Sequence, residues 1–490
     1  MNSLRILFFV ALFLLVFSIS GTAEILEDLV LNYSDFNYIN SIAAGFTYVY
    51  FGTTNGVTRY DINKEEWAAP LNGVPGLRGS QIYEIRVSQD DENIWVRTEF
   101  GVFKYTDVFE RWDQVESFPA EINPQGKHIN PDFDYFPPPD YNYLNTGVLV
   151  DFNGHHYPLT DILSDGWGNL WIGTFGLGAV WANSSVRRME FREFGLIQPD
   201  VMSIYSDNGV LWMGGQDVGT YRTGLTIFDW RENKFDFVET GNLPNPIYDD
   251  INCVFGNREY IFFGTNYGVV MVNKTDFDID RRFYQISGLP GREVKSLFSW
   301  GDSLFIGTNF GLALVDLSPD TTDNGATILL TPSEINTMLE YDDYLWVGTS
   351  NGTFRLDLYT GEMGRMNLSN YAARGEIYDI EKNGDMIWIA TQDELVSINA
   401  KTAETEAFPE TIRYGGARAL AVSNELVAAA TREGLLIIWL GKQKNRYELY
   451  TSNDGLISND VRDVLIDGEY IWIGTDRGLT RFWLDSPSLF

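Results

Sequence analysis

The sequence predicts an all-β protein, a β-propeller built from about ten four-stranded blade repeats. An apolar-aromatic-apolar phrase followed by Gly-Thr-x-x-Gly recurs along the chain, for example YLWVGTSNGTFRL (344–356) and YIWIGTDRGLTRF (470–482). The copies are nearly evenly spaced. Aromatic residues make up 15% of the 490 residues and glycine occurs 46 times, which is typical of β-rich structure with many turns.

The threonine of the phrase marks the length of the repeat. Its intervals along the chain are 45, 76, 41, 50, 43, 41, 42, 40 and 44 residues, and eight of the nine match one four-stranded propeller blade. Propellers typically have four to eight blades, so ten repeats indicate one large ring or two smaller rings, and we favour one ring. The anchors are Thr53, Thr98, Thr174, Gly215 (in threonine's place), Thr265, Thr308, Thr349, Thr391, Thr431 and Thr475.

Each repeat predicts four strands in a fixed order. A short apolar strand comes first, as in VRDVLI (461–466), and a polar turn connects it to the phrase, which forms the second strand. A third strand such as GLTRFWL (478–484) follows. A weaker fourth strand often carries an aromatic residue, and these are Trp67, Trp112, Phe237, Tyr284 and Tyr450.

The Thr-x-x-Gly piece predicts a tight turn between the second and third strands. Glycine accepts the positive φ that such a turn demands, and we expect this at Gly56, Gly101, Gly268, Gly311, Gly352, Gly434 and Gly478. The glycine before the threonine is expected to let a neighbouring sheet approach the backbone closely.

One column of the repeat is aromatic and sits in the middle of the second strand. It could form a sugar-stacking platform, but a fixed mid-strand place in most repeats favours core packing between sheets. Its members are Tyr50, Trp95, Trp171, Trp212, Phe262, Phe305, Trp346, Trp388 and Trp472, whereas Ala428 breaks the pattern.

Residues 1–23 have the plan of a secretory signal peptide, with Arg5, an apolar run and small residues before an expected cleavage after Ala23. An uncleaved anchor helix is the alternative.

We expect the repeat array to span 24–490, with an insertion at about 115–160 that includes the hairpin VLVDF–NGHH–YPL (148–159). Residues 27–34 are expected to pair with the last strand, after 479–484, and to close the array. Because residues 1–23 are predicted to be a signal peptide, we expect the mature protein to be secreted, periplasmic or on the cell surface, with no membrane span.

Composition excludes several functions. The formal net charge of −33 disfavours nucleic-acid binding. A single cysteine, Cys253, allows no disulfide within the chain, and the three histidines, His128, His155 and His156, leave little for zinc. We expect no cofactor. Calcium is the one ion kept open, because 276–280 and 318–325 cluster acids, although neither segment matches an EF-hand loop.

The pattern GL-x-x-(N/D)-x-V-x-x-I followed by LWIGT-x-x-GL resembles the propeller repeat of the two-component-regulator type. The segments that carry the resemblance are GLISNDVRDVLIDGEYIWIGTDRGL (455–479) and GLPGREVKSLFSWGDSLFIGTNFGL (288–312). The resemblance covers about residues 35–485. It implies a sensing or binding role outside the cytoplasm, and the chain is similar to the free-standing form, since no kinase segment follows residue 479.

The function we expect is a non-catalytic binding or interaction module for a protein or glycan. A propeller enzyme acting on glycans, a lyase or glycosidase, is the alternative, because 68 acidic residues offer many carboxylate pairs. The turns between second and third strands lie on one rim, and aromatic turn residues suit a ligand. The predicted binding face consists of Arg97, Phe100, Phe175, Tyr267 and Phe310.

Overall fold

The computed structural model describes residues 30–71, 80–106, 111–126, 135–144, 146–165, 168–183, 185–216, 219, 222–240, 250–284, 288–318, 325–366, 375–391, 394–441 and 445–484. The predicted signal peptide and His128 lie outside these residues. The chain divides into two compact units. The three-sheet unit comprises residues 1–195 and 480–490, and the seven-sheet unit comprises residues 196–479.

The strands that precede residue 196 form three sheets, apart from the N-terminal strand, which belongs to the last sheet. They are β1 (Val30–Tyr33), β2 (Ile39–Ala44), β3 (Tyr48–Thr53), β4 (Gly56–Asp61), β5 (Glu66–Trp67), β6 (Glu84–Val87), β7 (Ile94–Thr98), β8 (Gly101–Thr106), β9 (Arg111–Val115), β10 (Tyr141–Leu144), β11 (Val148–Asp151), β12 (His156–Ser164), β13 (Asn169–Thr174), β14 (Ala179–Asn183) and β15 (Arg188–Arg192).

The later strands form seven sheets, which are called ring sheets 1 to 7 in chain order. Ring sheets 1 to 3 contain β16 (Ser203–Asp207), β17 (Val210–Gly214), β18 (Gly224–Asp229), β19 (Lys234–Glu239); β20 (Ile251–Gly256), β21 (Tyr260–Thr265), β22 (Gly268–Asn273), β23 (Ile279–Tyr284); and β24 (Val294–Trp300), β25 (Ser303–Thr308), β26 (Leu312–Asp316), β27 (Thr327–Leu330).

Ring sheets 4 to 7 follow the same plan, and a 3-10 helix at Pro409–Tyr414 precedes ring sheet 6. They contain β28 (Ile335–Tyr341), β29 (Tyr344–Thr349), β30 (Gly352–Asp357), β31 (Met363–Arg365); β32 (Ile377–Asn383), β33 (Met386–Thr391), β34 (Leu395–Asn399), β35 (Thr405–Phe408); β36 (Ala419–Val422), β37 (Leu426–Ala430), β38 (Leu435–Trp439), β39 (Arg446–Tyr450); and β40 (Val461–Asp467), β41 (Tyr470–Thr475), β42 (Gly478–Trp483).

The predicted all-β fold of ten blade-like repeats is confirmed. The described strands form ten sheets, nine with four strands and one with six, and consecutive strands within a sheet pair antiparallel. In the six-stranded sheet, β10 and β11 are added before the first strand of the repeat. The expected hairpin is present there, because Val148 pairs with Pro158 and Leu149 with Tyr157.

The three-sheet unit packs its sheets side by side. The first strand of one sheet, β2, contacts β6 of the following sheet and β12 of the six-stranded sheet. Side chains also connect these strands, since the Ile42 amide donates to Asp161 Oδ2 at 2.9 Å and the Ile85 amide to Ser41 Oγ at 3.3 Å.

The seven-sheet unit is a closed ring. The first strands contact one another in the order β16, β20, β24, β28, β32, β36 and β40, and β40 returns to β16. These seven strands therefore surround the centre of the ring. The single ring of ten sheets that we favoured is wrong, because ring sheet 7 packs against ring sheet 1 and closes the circle after seven.

Backbone and side-chain hydrogen bonds seal this closure. The Val201 amide donates to the Thr475 carbonyl at 2.8 Å, and the Ile204 amide donates to Asp463 Oδ2 at 2.7 Å. Farther along the same strands, Ser206 Oγ donates to Asp467 Oδ2 at 2.6 Å. The closure thus repeats the kind of contact that connects other neighbouring sheets, where the Val254 amide, for example, donates to Ser203 Oγ at 3.0 Å.

The N-terminal strand completes the last sheet, as predicted. Strand β1 lies beside β42 in the sheet order β1-β42-β41-β40. The hydroxyl of Thr480 donates to Asn32 Oδ1 at 2.6 Å, and both side chains are buried. The boundary between the two units falls within β42, between Leu479 and Thr480.

The threonine of the phrase closes the turn that follows it. In ring sheet 4, Thr349 Oγ1 donates to the Gly352 carbonyl at 2.8 Å and accepts the Asn351 amide at 3.0 Å. The same pair of bonds recurs around Thr53, Thr265, Thr308 and Thr475. A buried hydroxyl that both donates and accepts explains why threonine stands at this place.

The turn glycines have the expected positive φ with one exception. Values range from 105° to 151° at Gly56, Gly101, Gly268, Gly352, Gly434 and Gly478. Gly311 does not adopt a positive φ, so our prediction is wrong there. It needs the absence of a Cβ for another reason, because a Cβ at this position would overlap the Leu330 carbonyl oxygen.

The glycine before the threonine allows the next sheet to pack closely, as predicted. A Cβ on Gly348 would lie 2.7 Å from Cγ2 of Ile377, the first residue of the next sheet's inner strand. Gly307 faces Ile335 in the same way. Where Ala390 replaces the glycine, the facing first residue is the small Ala417, and both lie in one core cluster. The glycine before the threonine and the branched residue that begins the next sheet's inner strand therefore have complementary sizes.

The aromatic column forms core between sheets, as predicted. Trp472 is fully buried and its ring lies 6.0 Å from those of Phe228 and Trp230 in ring sheet 1. Trp346 is 4% exposed and packs with Ile377 and Ile380 of the next sheet. These rings are unavailable as a sugar-stacking platform.

We expect Gly348→Ala to lower the free energy of unfolding by about 1–3 kcal/mol, the usual cost of an added methyl in a packed core. The new Cβ would meet Ile377 Cγ2 at 2.7 Å and Thr337 Cγ2 at 2.5 Å. Thr337 has little freedom to rotate away, because its hydroxyl donates to Asp379 Oδ1 at 2.9 Å. Urea denaturation measures the change.

Gly364→Ala in the same sheet is the matched control, since no atom lies within 4 Å of its added Cβ. This variant should unfold within about 0.5 kcal/mol of the wild type. Equal stability of the two variants would contradict the proposed fit between sheets.

Candidate functional site

A cavity of about 730 Å³ opens at one end of the inner strands of the seven-sheet unit. We call it the mouth cavity. We call the start of each inner strand its motif, and the first residue of the motif is the one that packs on the preceding sheet, such as Ile377. Every ring sheet contributes the second residue of its motif to the cavity. These seven residues are Met202, Asn252, Lys295, Asn336, Tyr378, Arg418 and Arg462. Its lining also includes Gln216, Glu293, Glu376, Gly415, Gly416, Ala417 and Arg432.

A β-bulge places these residues in the cavity. In five of the seven inner strands the pairing register shifts at this point, for example between Ile377 and Asp379 and between Val461 and Asp463. A bulge leaves one residue without a partner in the ladder and redirects its side chain. The flanking residues are used in packing, so the extra residue, such as Tyr378, is free to vary in chemistry.

Carboxylates surround this ring of side chains. In six ring sheets an acid immediately precedes the first residue of the motif, and these acids are Asp200, Asp250, Glu293, Glu334, Glu376 and Asp460. Some of them pair with cations in the cavity: Lys295 Nζ lies 3.8 Å from Glu293 Oε1 and also contacts Glu334. In ring sheet 6 the acid is replaced by Gly416.

Three arginines occupy the side of the cavity formed by ring sheets 6 and 7. Arg418 Nη2 lies 2.5 Å and Arg462 Nη2 3.1 Å from the two oxygens of Asp460. The Nε atoms of both arginines are buried and have no hydrogen-bond partner among the described residues. Arg432, in the turn of ring sheet 6, is exposed. This side therefore brings three arginine side chains together.

Asp200 lies under the arginine side. Burial raises the pKa of its carboxyl to about 6, although Arg462 opposes the rise and Asp476, Asp460 and Asp250 add to it. The Arg462 Nε atom is 3.7 Å from Asp200 Oδ1, too far for a hydrogen bond. Asp200 is therefore mostly ionised at neutral pH and offsets part of the charge of Arg462 without a hydrogen bond to its Nε atom.

Amide and aromatic groups line the opposite side. Asn336 Nδ2 donates to the Ile377 carbonyl at 2.9 Å, and Asn252 Nδ2 donates to the Val294 carbonyl at 3.2 Å. The donors are thus used between sheets, and the amide oxygens can accept hydrogen bonds from a ligand. Tyr378 is half-buried and contributes an aromatic ring.

Three carboxyl groups lie deeper along the inner strands, at the third and fifth positions of the motif. They are Asp379, Glu381 and Asp463. Burial raises the pKa of Asp463 to about 7 and that of Glu381 to about 8, and in Glu381 the Asp379 carboxyl adds to the effect. Two of these acids connect sheets, since Asp379 Oδ2 accepts the Leu420 amide at 2.8 Å and Asp463 accepts that of Ile204.

The residues of the predicted binding face are distributed over both units. Arg97, Phe100 and Phe175 belong to the three-sheet unit, whereas Tyr267 and Phe310 belong to the seven-sheet unit. The four aromatic side chains are exposed by 42–60%. Arg97 pairs with Glu84 at 2.7 Å, and Phe175 meets Tyr38 edge-on at 4.9 Å.

Tyr267 and Phe310 occupy equivalent turns of neighbouring ring sheets 2 and 3, at the same strand ends as the mouth cavity. The turn before Tyr267 is connected to the cavity lining, because Asn252 Nδ2 also donates to Asn266 Oδ1 at 3.0 Å. The Arg292 guanidinium lies 4.8 Å from the centre of the Tyr267 ring. These two predicted residues therefore border the candidate site.

The structure contains no assembled metal site in the residues it describes. No group of three or more His, Cys, Asp or Glu side chains could hold an ion there. His155 is engaged in its own turn, with Nδ1 2.9 Å from Asp151 Oδ2. The second acidic segment proposed for calcium, 318–325, lies mostly outside the described residues.

Among the described residues, no helix has the length and apolar character needed to cross a membrane.

The sequence prediction missed the ring of side chains that lines the mouth cavity. A signal for it was present, because the repeats align as acid, then Val or Ile, then a variable residue. In ring sheets 1 to 7 that variable column reads Met, Asn, Lys, Asn, Tyr, Arg and Arg. The column after it is also mostly polar, as in Ser296, Thr337 and Asp379, and two polar columns between apolar ones break the alternation of a strand and indicate a bulge.

No protein-family model matches the sequence, and the search of curated proteins gives no significant match. Solved structures do resemble the chain. PorZ, an essential bacterial surface component of the type-IX secretion system of Porphyromonas gingivalis, is 11% identical with a TM-score of 0.50. This comparison covers 91% of this chain and 74% of PorZ.

The extracellular domain of a putative hybrid two-component system from B. thetaiotaomicron is 13% identical. Its TM-score is 0.48, and the comparison covers 92% of this chain and 71% of that domain. At such identities the likeness concerns the fold.

We expect stability to fall as pH rises from about 5 to 8.5, in part because of Glu381. Its pKa is about 8 in the folded protein against an ordinary value of 4.5, because the carboxyl is buried, so the folded state binds the proton more tightly. Such a group stabilises the fold below its unfolded pKa, and this contribution is lost as pH rises through the folded pKa.

Glu381→Gln keeps the shape and removes the titration, so its free energy of unfolding should depend less on pH over this window. Denaturation of the two proteins at pH 5, 7 and 8.5 provides the test. Parallel pH profiles for wild type and variant would show that Glu381 does not titrate in this way.

Proposed function

We propose that the protein is an extracytoplasmic, non-catalytic binding module that takes its ligand at the mouth cavity. The observation that carries the proposal is the ring of seven lining residues. Each ring sheet presents one side chain from the same place on its inner strand, at a bulge in five of the seven strands, and the side chains differ in chemistry from sheet to sheet. Repeated architecture with a varied lining is suited to recognition, in which the scaffold is constant and the contacts determine the ligand.

The size and chemistry of the cavity support a ligand larger than a single ion. A volume of about 730 Å³ lies within the usual range for ligand sites. Convergent amides, cations and an aromatic ring come from rigid strands rather than from long loops. Such a site is preorganised, which lowers the entropic cost of binding. Tyr267 and Phe310 extend the proposed face outward from ring sheets 2 and 3.

Residues 1–23 support the proposed location outside the cytoplasm, because a signal peptide would export the chain. The resemblance to two-component-regulator repeats agrees with a sensing or binding role. A protein or a glycan of the envelope is the proposed class of partner. Mass measurement of the exported protein, expected to begin at Glu24, tests the location.

An enzyme acting on glycans is the alternative. Such an enzyme would need an acid and a second carboxylate on either side of a substrate bond. Glu293 and Glu376 line the cavity but belong to ring sheets 3 and 5, and Glu293 pairs with Lys295. Asp200, whose pKa is raised, is 5% exposed and lies outside the cavity lining. The arrangement therefore favours binding over catalysis.

We expect ligand binding to depend on Tyr378. The mature protein would be screened by thermal unfolding against a panel of neutral and charged oligosaccharides and of peptides from envelope proteins. A ligand at 100 times its Kd should stabilise the protein by about 2.7 kcal/mol. Tyr378→Ala should abolish most of this stabilisation.

Tyr359→Ala is the matched control, because Tyr359 is 71% exposed at the outer hairpin of ring sheet 4. It should leave ligand stabilisation unchanged. A panel in which no compound stabilises the wild type, or stabilisation that Tyr378→Ala leaves intact, would overturn the proposed site. Turnover of a bound glycan would favour the enzyme instead.

The predicted aromatic face can be tested in two halves. The double variant Tyr267→Ser/Phe310→Ser removes two exposed rings beside the mouth cavity, so it should stay folded and bind the ligand more weakly. Phe100→Ser/Phe175→Ser makes the equivalent change in the three-sheet unit. Weakened binding in the second variant would place that unit in the binding face as originally predicted. Full binding by both variants would exclude the aromatic turns.

A further inference from the structure

We propose that the ligand of the mouth cavity is an acidic saccharide and that its anionic group binds on the arginine side, at Arg418, Arg432 and Arg462. This inference rests on the proposed function and names the class of ligand. It starts from a contrast within the chain. The protein has 68 acidic and 35 basic residues, yet three arginines converge on one side of one cavity.

The hydrogen bonds of these arginines are incomplete. Asp460 holds the Nη2 atoms of Arg418 and Arg462, but their buried Nε atoms have no hydrogen-bond partner among the described residues, and Arg462 Nε lies 3.7 Å from Asp200 Oδ1. A guanidinium presents its donors as a planar fork that matches carboxylate, sulfate or phosphate. A buried donor without a partner costs free energy that an incoming oxygen would restore.

The counter-charge is reduced at this point. Ring sheet 6 has Gly416 where the other six ring sheets have an acid, so Arg418 lacks the neighbouring carboxylate that the repeat would supply. Among the described residues, no carboxylate lies within ion-pair distance of Arg432. Gly415, Gly416 and Ala417 line the cavity beside the arginines and leave room for a ligand group.

The rest of the lining favours a saccharide over an acidic peptide. Opposite the arginines, Asn252 and Asn336 donate to neighbouring sheets and present their amide oxygens as acceptors. Sugar hydroxyls are donors that suit such acceptors, and the Tyr378 ring offers an apolar face for a pyranose. Lys295 pairs with Glu293 and Glu334, whereas Arg432 on the arginine side has no ion-pair partner among the described residues. One charged group and several hydroxyls match this distribution.

The test uses isothermal titration of the mature protein with matched probes. The acidic probes are oligosaccharides of equal length that carry carboxylate, sulfate or phosphate groups. A neutral hexose oligomer and an oligoglutamate peptide complete the set. We expect at least one acidic saccharide to bind at least 10-fold more tightly than the neutral oligomer, and the difference to shrink as salt is raised.

Arg432→Gln is the principal variant, because Arg432 is exposed and the fold should tolerate the change. It should weaken binding of the acidic saccharide by about 5- to 10-fold and leave binding of the neutral oligomer unchanged. Arg446→Gln removes the same charge from β39 of the same ring sheet, with a side chain 50% exposed, and should have no effect. An equal loss in both variants would indicate a general charge effect and overturn the assignment.

The outcomes separate this inference from the proposed function. Equal affinity for neutral and acidic oligomers, lost in Tyr378→Ala, would overturn the anionic ligand and keep the binding site. Preference for oligoglutamate would replace the saccharide by an acidic peptide. Absence of binding by every acidic saccharide would overturn the inference. The proposed function would then be decided by the thermal-unfolding screen of oligosaccharides and peptides, with wild type and Tyr378→Ala compared.

Discussion

The close approach of neighbouring sheets at the glycine of the phrase is the constraint on which the structure depends. At Gly348 the backbone leaves just enough space for Ile377 of the next sheet, and the same fit recurs between Gly307 and Ile335. Because the first residue of each inner strand is held there, the strands come close enough to share hydrogen bonds around the centre. The pair Ala390 and Ala417 shows the same fit reached with two smaller side chains.

This packing also explains the candidate site. The first and third residues of the inner-strand motif are both committed, one to the glycine pocket and the other, as in Asp379 and Asp463, to a bond with the next sheet. The bulge between them takes the second residue out of the strand ladder and lets its side chain line the cavity. That residue is therefore where the chain can change its binding chemistry without disturbing the ring, and the seven lining side chains differ accordingly.

The charged side chains give the two sides of the cavity different character. An outer set of acids balances Lys295 and part of the charge of Arg418 and Arg462, whereas Gly416 interrupts that set beside Arg418. Deeper in the ring, burial keeps Glu381 and Asp463 protonated to higher pH than usual. A strongly acidic chain thus gathers three arginines at the place where the repeated architecture exposes variable side chains.

The sequence by itself determined the repeat, the strand order, the buried tryptophans and the turn chemistry. These follow from local alternation and from residues such as Thr349 and Gly352, whose roles are completed within one hairpin. Gly311 is the exception, because a Cβ there would overlap a carbonyl oxygen on another strand, and that contact cannot be read from one hairpin. The completion of the last sheet by β1 was also readable, because an unpaired strand and a missing strand occurred at opposite ends of the chain.

Only the tertiary structure decided that seven sheets close on themselves and that Met202, Tyr378 and Arg462 meet in one cavity. Ring size depends on the angle between successive sheets, which results from many small packing contacts and leaves no local pattern. The aromatic turns looked alike in sequence, yet Phe100 and Tyr267 belong to different units. Convergence of residues more than 250 positions apart is a property of closure, and closure is a long-range contact between β16 and β40.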